Sequence, residues 1–111
     1  MTLAPGEAVP ATSVALEREP LPAAQVVSGA PATGFVELTD TVGVWEHTPG
    51  VSTDVEVDEV FVVLSGSGVL TFDEPALPPV ALGPGVVVRL VDGMRTTWTV
   101  HETLRKAYVT P

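Results

Sequence analysis

The chain of 111 residues contains no cysteine, which removes a disulfide scaffold, a thiolate metal site and a cysteine nucleophile together. Basic residues are scarce: five Lys and Arg stand against fourteen Asp and Glu, a formal charge of −9. A surface of that sign repels phosphate backbones and acidic lipids and carries no basic stripe, so neither nucleic acid nor a membrane is an expected partner. The excess acid reads first as a solubility feature. No apolar run approaches the roughly 18 residues that cross a bilayer. The opening "MTLAPGEAVPATSVALEREP" has neither a basic start nor a continuous apolar stretch, so it does not read as a secretory signal. A soluble cytoplasmic protein is expected. Amphipathic helical spacing of useful length is also missing.

What remains is a chain that is 45% hydrophobic, too apolar for disorder over its bulk. Its length suits one domain with a core that needs no staples. Residues 1–33 are rich in Ala and Pro, with prolines at 5, 10, 20, 22 and 31. Each proline removes a donor and restricts its predecessor, so this part is expected to be an extended arm, frayed at its start, that packs over the domain or pairs briefly at "AQVVSG". From residue 34 onward the signals are those of strands. "FVEL", "GVWEH", "VEVDEVFVVL", "GVLTF", "PVAL", "GVVVRLV", "TTWTV" and "RKAYV" are short, rich in Val, Thr and aromatics, and separated by turn residues. Breaks are expected at "TPG", "SGSG", "DEPALPP", "LGPG" and "VDGM". Many short strands at this spacing predict a β-sandwich or barrel.

The stretch "VEVDEVFVVL" (55–64) carries an anomaly. A period of two puts Val55, Val57, Phe61 and Val63 on one face with Glu59 among them, and Glu56 and Asp58 on the other. In a closed barrel one face looks into the lumen, so Glu59 is expected to point inward. An ionised carboxylate there must be paired, hydrogen-bonded or protonated. Three readings stand: a carboxylate satisfied by neighbouring polar groups, a bulge near Asp58 that turns Glu59 outward, and a ligand-contacting or catalytic group.

"EVFVVLSG" has the form E-x6-G and resembles the second half of the first motif of the cupin superfamily. "GPGVVVRLVDGMRTTW" resembles the second cupin motif. "GVWEHTPG", "DEVFVVLSG", "LGPG", "TWTV" and "RKAYV" follow in an order and spacing similar to small single-domain cupins of the ureidoglycine aminohydrolase and ethanolamine-utilisation types, over roughly residues 26–110. The resemblance implies an all-β, single-domain antiparallel jelly-roll barrel, usually dimeric, with a pocket at one mouth. Many members hold a divalent metal there through two His and a Glu of the first motif and a His of the second. Here the first-motif histidines fall at Thr53 and Val55 or at Ser52 and Asp54, and the second-motif histidine at Thr96. Glu59 is the standard ligand that remains, and a transition metal needs three or four convergent donors. No metal and no cofactor are therefore expected.

The candidate site is built from what shares a face with Glu59. On "VWEHT", Trp45 and His47 oppose Val44 and Glu46. Trp98 goes with Thr96 and Val100, and Lys106 with Leu104 and Tyr108, available to pair with Glu59 or Glu46. The expected ligand-binding set is Trp45, Glu46, Glu59, Thr96, Trp98 and Lys106, with Glu59 and His47 as the groups able to move a proton. Arg89 and Arg95 are expected at the surface, and His101 in an exposed turn. Three functions are consistent with this set. The first is a metal-free pocket for a polar or anionic metabolite. The second is a metal-independent isomerase, epimerase or lyase using Glu59 or His47. The third is a structural or regulatory homodimer with a vestigial pocket, supported by the outward apolar run Val60, Val62 and Leu64, which suits either sheet-to-sheet core or a subunit interface.

Overall fold

The computed structural model describes residues 2–111. Nine strands among these residues form one antiparallel sheet that curls on itself: β1 (Glu19–Pro20), β2 (Val26–Gly29), β3 (Ala32–Glu37), β4 (Val42–His47), β5 (Gly50–Val55), β6 (Glu59–Glu74), β7 (Leu77–Leu82), β8 (Val87–Leu90) and β9 (Arg95–Val109). This is the all-β jelly roll expected. No helix among the described residues is long and apolar enough to cross a membrane.

The spine is the β6–β9 pair, which runs from Val60↔Val109 to Glu74↔Arg95. β4 and β5 line the other edge of β9, while β7 and β8 line the other edge of β6. Both long strands join segments that the turn residues predicted to be separate. "SGSG" is a bulged stretch inside β6, with the register slipping between Val63 and Gly68. The slip changes phase: inward residues are Phe61 and Val63 before it and Leu70 and Phe72 after it. Gly66 makes the bend possible, since its φ is +90° and a Cβ would meet the Thr103 carbonyl. "VHET" likewise stays in β9, so His101 is exposed on a strand rather than in a turn.

The core inside the curl is Phe61, Val63, Leu70, Phe72, Leu82, Val88, Leu90, Trp98, Val100 and Leu104. A second, smaller cluster lies on the outer face, where Val14 of the N-terminal segment packs on Leu38 and Val44. That segment is held by pairing as well. β1 adds to β3, and β2 adds to β5 through "VVSG".

"VEVDEVFVVL" is not one strand. β5 ends at Val55 and β6 begins at Glu59. Between them Glu56 leaves the ladder and bonds the Val91–Met94 turn: its N–H donates to the Met94 carbonyl at 2.8 Å, and its own carbonyl accepts from Gly93 at 2.9 Å. Asp58 Oδ1 accepts from Asp92 N–H at 2.9 Å. The alternation therefore resets after Glu56. Val55 and Val57 are exposed, at 54% and 57%, while Glu56 is buried.

Candidate functional site

A cavity of about 300 Å³ opens at one mouth of the barrel, walled by Phe35, Trp45, Trp98 and Tyr108 and carrying Asp54, Glu56, Glu59 and Lys106. A second recess of about 380 Å³ runs past Val60, Arg89 and Pro111 but contains neither Trp nor Lys106. Alternation on β9 places Thr96, Trp98, Leu104 and Lys106 inward, and β4 contributes Trp45 and His47. The two indoles lie 5.1 Å apart, centroid to centroid.

Lys106 is the central feature. Its residue is 4% exposed, and its ammonium donates to Glu59 Oε2 at 2.6 Å. The same nitrogen lies 4.6, 4.4 and 4.9 Å from the ring centres of Trp45, Phe61 and Trp98. Desolvating an ammonium is costly. Here one carboxylate and three π faces offset the cost, the rings presenting their negative faces to the charge.

The second buried carboxylate is Glu56, absent from the set read from sequence. Its Oε1 accepts from Thr96 Oγ1 at 2.8 Å and from Trp98 Nε1 at 3.2 Å. Thr96 thus acts through Glu56 rather than lining the cavity. Burial, then the negative charge of Asp54, pushes the Glu56 carboxyl above the ordinary range. Asp54 stands exposed at the rim, yet the protein around it strips enough water to raise its carboxyl as well. The signal for Glu56 existed in the sequence. One of the two first-motif alignments picks Ser52 and Asp54, and one more step of that alternation reaches Glu56.

His47 lies deeper, 1% exposed. Nδ1 is 2.6 Å from the Thr48 carbonyl, which only accepts, so Nδ1 carries the proton. Nε2 then accepts from Ser52 Oγ at 2.8 Å. Burial lowers the imidazole pKa and keeps the ring neutral. A small cavity of about 70 Å³ touches both residues. Glu46, by contrast, is on the opposite face of β4. It meets Arg105 at 2.7 Å and Arg18 at 3.3 Å, away from the cavity. Arg89 is exposed, and Arg95 sits outside beside Glu74.

The metal set of the superfamily does not fit these residues. Ser52 is committed to His47, Thr96 to Glu56, and Glu59 to an ammonium that stands where a cation would approach it. Among the described residues no group of three or more His, Asp or Glu could hold a metal ion.

The buried acids and the histidine pull stability in opposite directions with pH. Glu56 binds its proton more tightly folded than unfolded, so its stabilising contribution is present at low pH and is lost as pH rises through the folded value. His47 binds its proton less tightly folded, so stability is lost as pH falls below the unfolded value of 6.5. Glu56→Gln keeps an acceptor for Thr96 and Trp98 without the charge. It is expected to be more stable than wild type at about pH 8 in urea denaturation, with the lead shrinking towards about pH 5. Equal stability at both ends would mean that the folded state does not strain against a charged Glu56.

Residues 37–108 match the family described as the EutQ-like cupin domain. No curated protein matches the chain. Among solved structures, a protein of unknown function from Pseudomonas syringae pv. tomato is similar at 21% identity and a TM-score of 0.71, over 87% of this chain and 44% of that one. This chain therefore spans less than half of that relative. The EutQ protein of Clostridium difficile aligns at 18% identity and a TM-score of 0.60, over 72% and 68% of the two chains. A cupin-like protein from Thermotoga maritima aligns at 14% identity and 0.60, over 85% and 78%. At these identities the structures speak for the fold.

Proposed function

This chain belongs to the EutQ-like cupin family, and we propose that it binds a small polar molecule, without a metal, in the aromatic cavity at Trp45, Trp98 and Glu59. The observation that carries the reading is the Lys106–Glu59 pair beneath three aromatic rings at the cavity wall. Buried ion pairs are poor devices for stability. A cavity that keeps one among flat apolar walls has the composition of a ligand site, in which a few placed polar groups orient a molecule held by aromatic surface. The lining argues for a neutral or cationic ligand over an anionic one, because Lys106 is its sole cation and is matched by Glu59. Proton transfer by Glu59 or His47 is less favoured, since both are already bonded within the protein.

The molecule carries its own reporter. Trp45 and Trp98 are its two tryptophans, and both line the cavity. Titration with amino acids, ureido compounds, amines and sugar phosphates is expected to shift indole emission for at least one class, and Trp98→Phe to reduce the response. Silence across the panel, or a binder indifferent to Glu59→Gln, counts against the site.

A second reading has one observation behind it. Val60, Val87 and Val109 are exposed at 42%, 64% and 50% on neighbouring strands, Val60 opposite Val109 in the ladder. Two copies joining through this outer face is the proposal. Sedimentation equilibrium is expected to give a dimer that Val109→Asp dissociates, and a wild-type monomer at every concentration removes the idea.

A further inference from the structure

The charges that face the cavity do not balance. Asp54, Glu56 and Glu59 are set against Lys106 alone, with the Tyr108 phenol, lifted by burial and by the nearby Glu37 and Glu59 charges, as the remaining titratable group. Lys106 is used up by Glu59. Arg95, opposite Val55 at the end of β5, is 63% exposed and lies near Glu74. Asp54 and Glu56 have no ion pair of their own, and the Lys106 charge reaches them only as a minor influence behind burial.

Glu56 is the more telling of the two. The residue is 7% exposed, and both of its protein hydrogen bonds go to Oε1. Oε2 takes none from an N–H or hydroxyl donor, and no buried side-chain oxygen among the described residues lacks a partner, so Oε2 opens to the cavity, where the Asp54 carboxyl stands within hydrogen-bonding reach of Glu56 and the two acids form a pair. A buried carboxylate oxygen turned to an aromatic-walled space is an acceptor waiting for a donor, and a charged donor suits it best. The same end of the barrel shows how an ammonium is held there. Lys106 is stabilised by one carboxylate and by the faces of Trp45, Phe61 and Trp98. Phe35, exposed at 59%, and Val57, at 57%, extend the apolar wall outward past Asp54 and Glu56.

We propose that the mouth of this cavity takes a small organic cation, of the alkyl- or arylmethylammonium class, whose N–H groups are held by Glu56 Oε2 and Asp54 while its hydrocarbon part lies on Trp98, Phe35 and Val57. The proposal rests on reading the cavity as a ligand site and adds its ligand class. Cation binding demands ionised acids, and both of these carboxyls are raised, by burial first. Affinity for an ammonium therefore falls as the pair is protonated.

The test uses three probes of one shape: benzylamine, benzyl alcohol and phenylacetate, titrated by calorimetry into the full chain. Benzylamine is expected to bind at least about tenfold more tightly than the alcohol, and phenylacetate the least. Glu56→Gln and Asp54→Asn are each expected to collapse the amine's advantage, bringing its affinity close to that of the alcohol. Lowering the pH from about 8 to about 5 is expected to weaken the amine alone. Phenylacetate as the tightest probe, or an amine preference that survives in both variants, overturns the cation inference while leaving a pocket. Silence from all three overturns it too, and the wider panel above then decides separately on the cavity.

Discussion

Lys106→Met is expected to cost the fold about 3–5 kcal/mol, the range for breaking a buried ion pair by removing one partner. The side chains of Lys106 and Glu59 are 5% and 12% exposed, so water cannot replace the lost contact cheaply. Methionine keeps most of the lysine volume, which limits cavity formation. What it cannot keep is the charge that satisfies Glu59 Oε2 and draws the three rings together. The control is the double variant Lys106→Met with Glu59→Leu. Replacing both members of a buried pair with apolar groups is often neutral or stabilising, so the double is expected to recover most of the loss. Urea denaturation measures all three proteins. A single variant within about 1 kcal/mol of wild type would show that the pair is solvated in practice and that the cavity is wetter than its walls suggest. A double variant as unstable as the single would place the loss in the aromatic contacts instead.

The pairing of Lys106 with Glu59 was legible in the sequence because both sit on strands whose alternation holds locally. Glu59, Phe61 and Val63 keep one phase, as do Leu104, Lys106 and Tyr108, and the barrel brings these faces together. Thr96, Trp98 and Val100 were legible for the same reason. Glu56 was legible only from the β5 side, where one step beyond Ser52 and Asp54 reaches it. A period-two reading carried back from Glu59 through "VEVDEV" misses it, because the change of phase is set by backbone bonds to the Val91–Met94 turn, remote in the chain. The continuity of β6 and β9 was hidden likewise. Gly and Ser in "SGSG" carry turn chemistry, and only pairing with β9 on the far side keeps the segment in the sheet. Glu46 belongs to the ligand-binding set expected from the sequence, as a partner for Lys106, although alternation along β4 already sets it opposite Trp45 and His47. Its cross-strand neighbour on β9 is Arg105, one residue before Lys106 and therefore on the opposite face.

That Arg105 carries the other large expected effect. Its Nε and Nη2 both donate to Glu46 Oε2, at 3.2 and 2.7 Å, and Nη1 donates to the carbonyls of Ala11 and Val14 at 3.1 and 2.8 Å. One planar guanidinium therefore ties β4 and β9 to the N-terminal segment, beside the cluster of Val14, Leu38 and Val44. Ahead of β1 the segment has few backbone bonds to the barrel, the Leu3 N–H to the Leu38 carbonyl among them, because a chain rich in proline offers few donors. Arg105→Ala leaves two carbonyls without their donor and Glu46 with only Arg18, at 3.3 Å. A loss of about 3–4 kcal/mol is expected, from a broken buried pair together with unsatisfied acceptors. Arg105→Lys is not expected to rescue it, because a single ammonium lacks the fork that reaches the carboxylate and both carbonyls together. Hydrogen exchange distinguishes a local release from a general weakening. Protection is expected to fall first at Leu3 and Val14, whose N–H groups bond Leu38 and Pro10, while the β6–β9 amides hold. Uniform loss across both would make Arg105 part of the barrel's own stability, and the N-terminal segment would then be a cover held by its strand pairing and apolar contacts.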